Sequence, residues 1–221
     1  MSLRSCLVLA LCLTTAVHAA QAQDKGQTPP RLPPVDQAAS VPDFFSFRAQ
    51  LQAAVARHDT AAVLAALGKD VELSFGGDRG IEGFKAMWRP EAADSLVWGE
   101  LATVLALGGS FDGQGRFMAP YVASTWPRGA ADYHIALAVI GSGVRVRAAA
   151  SDNAAVLASL DFSIIEPADP PGEPAGWTAV KLPSGQIGHV RSQLVRSPLN
   201  YRVGFSKLAG RWQIDYFIAG D

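Results

Sequence analysis

The chain has 221 residues, a formal charge of −1, 49% hydrophobic residues and 18% charged ones. That length gives one domain or two small ones, with a core that needs neither disulfides nor metal, and the composition excludes a disordered or collagen-like chain. A charge so close to neutral provides no general attraction to nucleic acid.

Residues 1–22 read as a cleavable export leader. Arg4 makes a positive start, residues 5–17 form a short apolar run, and Ala20-Gln21-Ala22 places small residues at a cleavage site, so the mature chain begins at Gln23. The run is shorter than the ~20 residues a membrane span needs, so no transmembrane segment is expected. A lipid-anchored alternative would use Cys12, but Leu11 stands where a small residue belongs. Both cysteines, Cys6 and Cys12, leave with the leader. The mature chain then has no disulfide, thiolate nucleophile or thiolate metal ligand. Losing Arg4 takes the charge from −1 to −2.

Residues 23–42 hold Pro29, Pro30, Pro33, Pro34 and Pro42 with little apolar periodicity, and read as an extended linker. Phe44, Phe47, Leu51 and Val55 then recur on one helical face, started by Pro42 and Asp43. Asp59 caps a second short helix with Val63, Leu64 and Leu67, which Gly68 ends. Val71, Leu73 and Phe75 alternate with Glu72 and Ser74, predicting a one-sided strand. Ile81, Phe84 and Trp88 predict another helix, and Leu96, Leu101, Val104, Leu105 and Leu107 a further one. Asp112-Gly113 and Gly115 place a turn or small hairpin between Phe111 and Phe117.

From Ile135 the apolar period shortens to two, punctuated by Ser142-Gly143, Asp152-Asn153, Pro170-Pro171-Gly172 and Pro183-Ser184-Gly185. Short strands at that spacing suggest a small β-barrel. A closing hairpin follows, with arms at 201–205 and 212–217 around Ala209-Gly210.

Four blocks lie in this region: Val144-Arg145-Val146-Arg147-Ala148, Ala155-Val156-Leu157-Ala158-Ser159-Leu160, Gly176-Trp177-Thr178-Ala179-Val180-Lys181 and Gly185-Gln186-Ile187-Gly188-His189-Val190. In order and spacing, residues 143–196 resemble a bacterial SH3 domain of the type found in cell-envelope proteins. Ala150 departs from the usual proline at the end of the first block, and the loop 167–176 is long, with four prolines. The resemblance implies a five- or six-stranded barrel that binds peptidoglycan or an envelope protein or peptide. Residues 47–75 and the closing hairpin resemble the start and end of a nuclear-transport-factor-like α+β cone. The overall layout is similar to exported proteobacterial proteins with an SH3-like domain, which implies no activity.

The expected fold is therefore α+β. A helical and mixed N-terminal domain (43–140) precedes a small SH3-like β-barrel (141–197). The C-terminal β-hairpin (198–221) would pair with the strand at 71–75 and make the first domain discontinuous.

Catalytic motifs are missing from the sequence. G-x-S-x-G, S-x-x-K, G-x-x-x-x-G-K-[ST] and G-x-G-x-x-G do not occur, and His58, His134 and His189 lack metal-ligand spacing. No catalytic residue, metal or cofactor is expected. Asp70, Glu72 and Asp78 surround one strand, and the period-two rule puts Asp70 and Glu72 on its solvent face. On the barrel, Trp177 reads either as an aromatic platform or as half-buried core. Arg145, Arg147 and His189 stand near it, and arginines grip carboxylates in bidentate fashion. The leading expectation is a non-catalytic periplasmic or secreted binding protein that uses those four residues. The alternatives are a small-molecule binder or enzyme, with an apolar pocket of Phe75, Phe84, Trp88, Phe205 and Tyr216, and a structural partner in an envelope complex.

Overall fold

The computed structural model describes residues 28–168 and 174–221. The expected leader, the first five linker residues (23–27) and the middle of the proline-rich loop lie outside the described residues. The fold is α+β, with five α-helices and two mostly antiparallel sheets among the described residues.

Helix α1 (Pro42–Ala56) starts on Pro42 and buries Phe44, Leu51, Ala54 and Val55, with Phe47 half-buried beside them. The face also buries Arg48, which the apolar pattern did not reveal. Helix α2 (Thr60–Ala66) is capped by the Asp59 carboxylate, which accepts a hydrogen bond from Ala62 N at 3.0 Å. Gly68 does not end this helix in a turn. The chain passes straight into strand β1 (Leu67–Glu72), so Leu67 and Gly68 are already strand.

Because β1 stops at Glu72, the expected strand at 71–75 is shifted. Val71 and Leu73 are buried as predicted, but Phe75 rides a turn and is 60% exposed. Ser74 holds that turn, bonding Asp78 through its hydroxyl at 2.7 Å. Helix α3 (Gly80–Trp88) buries Phe84 and Trp88. Helix α4 (Val97–Ala106) buries Val97, Trp98, Leu101, Val104 and Leu105, whereas Leu96 is its N-cap and 79% exposed. Strands β2 (Ser110–Phe111) and β3 (Phe117–Ala119) form the predicted hairpin, and α5 (Tyr121–Ser124) follows.

The last strands, β11 (Arg202–Leu208) and β12 (Arg211–Ile218), complete the first sheet in the order β1-β12-β11-β3-β2. Strand β12 runs parallel to β1, with Leu67 opposite Ile214 and Glu72 opposite Tyr216. The closing hairpin thus belongs to the N-terminal domain, as expected. One face of this sheet meets the helices. Phe44 sits there with its ring 4.5 to 5.4 Å from those of Phe111, Phe117, Phe205 and Trp212.

The second sheet has the order β10-β4-β7-β8-β9-β5-β6. Its strands are β4 (Leu137–Val139), β5 (Val144–Arg147), β6 (Val156–Leu160), β7 (Ile164–Pro167), β8 (Trp177–Lys181), β9 (Ile187–Arg191) and β10 (Val195–Arg196). The four sequence blocks supply β5, β6, β8 and β9. Strand β4 pairs with β7 and β10, so the boundary placed at 140/141 moves ahead of Leu137. The inward residues Val144, Val146, Val180 and Val190 form a separate core.

Over its described part, the proline-rich linker is not a free spacer. Leu32 is 3% exposed and packs with Tyr121, Val122, Ala136, Ala138 and Ile164, a cluster that joins the two sheets' territories. Pro30 O accepts from Ile164 N at 2.7 Å, and Leu32 N donates to Phe162 O at 2.6 Å. Further along, Gln37 N bonds Gly109 O at 2.9 Å, and Asp36 receives both terminal nitrogens of Arg48 at 2.8 and 2.7 Å. Proline lacks an amide donor, but its carbonyl still accepts. Such a segment forms a strap wherever an intervening residue such as Leu32 finds an apolar seat.

Candidate functional site: a cavity on the first sheet and a basic face on the second

Antiparallel register decides which of the expected barrel residues meet. Arg147 pairs with His189, His189 with Ala179, and Trp177 with Arg191. Arg145 is two residues from Arg147 on β5. By the period-two rule all of these share the face opposite Val144, Val146 and Val190. The structure therefore brings Arg145, Arg147, Trp177 and His189 to one surface.

Trp177 is not the open platform of the first expectation. It is 8% exposed, and the Arg191 guanidinium lies 4.3 Å from its ring centre. Arg191 is itself ion-paired with Asp152. Arg147 spends one guanidinium nitrogen on Ala154 O at 2.9 Å. Arg145 is exposed and has no ion pair among the described residues, and His189 is half-buried between these strands. The face is basic, but much of its charge is engaged internally.

The apolar pocket expected within the α+β domain is absent as drawn. Phe84, Trp88 and Phe205 are packed into the core between helices and sheet, and Phe75 is on the surface. Tyr216 and Phe205 instead border a cavity of about 520 Å³, built largely on the sheet face away from the helices. Ligand sites commonly fall at about 300–1,000 Å³.

The floor of this cavity is built by two glycines. The Tyr216 ring lies flat across Gly204, so close that a Cβ there would meet ring carbons at 2.1 and 2.2 Å. Gln213 lies over Gly68 in the same way, its Nε2 2.9 Å from where a Cβ would be. Glycine inside a strand costs stability and marks a close approach of other atoms. Here it lets two side chains of β12 lie down in opposite directions, which keeps the volume above them open. Ser110 and Ser124 stand at the wall, and Asp70 and Glu72 at the rim. The period-two rule assigned these two acids the face away from the core, and that face is the cavity's.

The hydrogen bonding of the site is incomplete. Among the described residues, the Ser124 hydroxyl is buried without a partner and the Tyr216 hydroxyl makes no hydrogen bond. Within the same residues, the Asp215 carboxylate accepts only from Gln213 Nε2, at 3.0 Å. Asp112 is more fully engaged. Gln114 N, Arg116 N and Arg116 Nε all donate to it, and despite some burial these bonds hold its carboxyl below the usual range. Burial pushes the Tyr216 phenol up to about 12, so at neutral pH it is a hydrogen-bond donor.

All four tyrosines share that direction. Burial raises Tyr121 to about 12 as well, and it raises Tyr133 and Tyr201. A spectrophotometric titration is therefore expected to show Tyr121 and Tyr216 ionising well above the ordinary value near 10, and Tyr133 and Tyr201 displaced in the same direction, while the fold persists. Each raised phenol keeps its proton longer in the folded chain than in the unfolded one. For Tyr121 and Tyr216 the stability this represents is complete below pH ~10 and is lost as pH climbs towards 12, so alkaline unfolding should accompany their absorbance rise. A still-folded protein in which all four phenols ionise at pH ~10 would contradict the burial of these rings.

The remaining histidines lie elsewhere. His58 stacks on Trp98 with ring centres 4.8 Å apart, and His134 faces Asp221 at 2.8 Å. Among the described residues, no three His, Cys, Asp or Glu side chains gather in a metal-holding group. No helix among them is long and apolar enough to cross a membrane. Sequence reasoning missed Gly68, Gly204, Gln213 and Ser124 as site residues. The available signal was Gly204 itself, a glycine between the apolar Val203 and Phe205 inside a strand. In comparison with known proteins, no family model matches the chain and no curated protein sequence is significantly similar to it.

Proposed function

We propose that the protein is a ligand-binding protein of the cell envelope, with the cavity over Gly68 and Gly204 as its small-molecule site. The observation that carries this reading is the glycine floor, since a sheet face meant only for solvent does not require two close approaches beneath one cavity. The envelope location rests on the leader at 1–22, and N-terminal sequencing of the exported chain is expected to begin at Gln23. The site is tested by ligand-observed NMR with a panel of small polar fragments. Binding fragments should be lost in Gly204→Val, whose side chain displaces the Tyr216 ring, while cooperative unfolding is retained. Fragments that bind the variant as well as the parent would reject the cavity.

The basic face supports a second reading. Exposed Arg145, on the same face of β5 as Arg147, which pairs with His189, suits a carboxylate-bearing ligand such as a peptidoglycan stem peptide or an acidic segment of an envelope protein. Retention of the full chain on purified peptidoglycan should fall several-fold in Arg145→Glu and with added salt. No retention of the parent on peptidoglycan, or retention indifferent to Arg145→Glu, would reject peptidoglycan as the ligand of this face.

A further inference from the structure

The charge and the open hydrogen-bonding positions of the cavity limit what it can hold. Of the acids at its edge, Asp112 is closed by Arg116, whose Nε lies 2.8 Å from it. Asp70, Glu72 and Asp215 have no ion pair among the described residues, and Lys69 is the remaining cation at the rim. Against these three carboxylates stand the Lys69 ammonium and the Arg202 guanidinium, which acts electrostatically on Tyr216. The carboxylates outnumber the two cations and the mouth is negative, which attracts cations and repels anions. Deeper in, the available partners are neutral: the Tyr216 phenol, held protonated, and the partnerless Ser124 hydroxyl. The Tyr216 ring has one face on Gly204 and borders the cavity. A π-face suits an ammonium group or the C–H face of a saturated ring.

We infer that the cavity takes a small organic ammonium ion bearing several hydroxyl groups, of the amino-sugar class. The inference rests on the cavity being a ligand site. The ammonium would sit among Asp70, Glu72 and Asp215, and ligand hydroxyls would complete Tyr216 and Ser124. A neutral sugar can donate hydroxyls to the carboxylates but leaves their charge uncompensated, and an anionic one meets their repulsion. A long apolar molecule leaves the buried Ser124 hydroxyl without a partner.

The test uses the full chain and three probes: glucosamine at a pH where its amine is protonated, N-acetylglucosamine and glucose. Backbone amide shifts are followed at Gly204, Gln213 and Tyr216. Glucosamine is expected to move all three, with at least tenfold tighter binding than either uncharged sugar and with weakening by salt. Glu72→Gln, on an exposed side chain, should weaken glucosamine several-fold and leave the uncharged sugars unchanged. Tyr216→Phe should weaken glucosamine without altering the unfolding midpoint. If an uncharged sugar binds as tightly as glucosamine, or Glu72→Gln is silent, the ammonium assignment falls while the cavity stands as a site. If none of the three probes moves these amides, the amino-sugar class is rejected, and the fragment panel with Gly204→Val then decides the cavity separately.

Discussion

Replacing Phe44 by alanine should destabilise the protein by about 3–5 kcal/mol, the usual cost of truncating a fully buried aromatic residue. Phe44 is completely buried and makes close ring contacts with Phe111, Phe117, Phe205 and Trp212. These neighbours come from β2, β3, β11 and β12, so one side chain of α1 fixes the helix onto most of the sheet. The hole left by alanine cannot close easily, because the surrounding rings are held by the strands. Urea unfolding should show a lower midpoint with an unchanged slope. Phe44→Leu, which keeps more of the volume, should recover part of the loss. A Phe44→Ala protein within about 1 kcal/mol of the parent, the loss typical of an ordinary single substitution, would mean that this junction is not packed as described.

Asp36→Ala is expected to have the next largest effect, about 2 kcal/mol. The side chain of Arg48 is 7% exposed, and both of its terminal nitrogens reach Asp36. Its Nε is buried with no partner among the described residues, so the charge depends on this one carboxylate. Removing one member of a fully buried pair costs about 3–5 kcal/mol. Asp36 is 46% exposed, and solvent screening reduces the figure accordingly. The double variant Asp36→Ala/Arg48→Met removes the stranded charge and should regain most of the loss, since an apolar replacement of both partners is often neutral. If the double variant is no more stable than Asp36→Ala, the penalty arises from loosening the strap and not from the charge.

The sequence exposed those elements whose periodicity reflects a single neighbour. The stripe of α1, the cap of α2 and the alternation of the closing hairpin each follow from local chemistry, and the structure contains them. Errors arose where a distant segment intervenes. Leu32 looked like an isolated apolar residue among prolines because its partners, Tyr121 and Ile164, are far along the chain. Arg48 interrupts an apolar face because Asp36 reaches across to it. Phe75 continued the alternation of β1 in the sequence, but the Ser74–Asp78 turn takes it out of the strand. In the candidate site, the acids at 70 and 72 were placed on the correct face of β1. That this face borders a cavity depends on β12 lying beside it, which only the tertiary structure reveals.

The discontinuity of the first sheet has a consequence for how the chain reaches its native state. The ribosome delivers the apolar faces of α1, α3 and α4 long before Phe205, Ile214 and Phe217, against which they close. The second sheet has all of its strands by Arg196 and can form first, while the earlier helices wait for the final residues. During that interval the helices are sticky and vulnerable to proteases. Nascent chains halted before residue 202 should therefore be handled as clients by holding chaperones, whatever stability the finished protein attains.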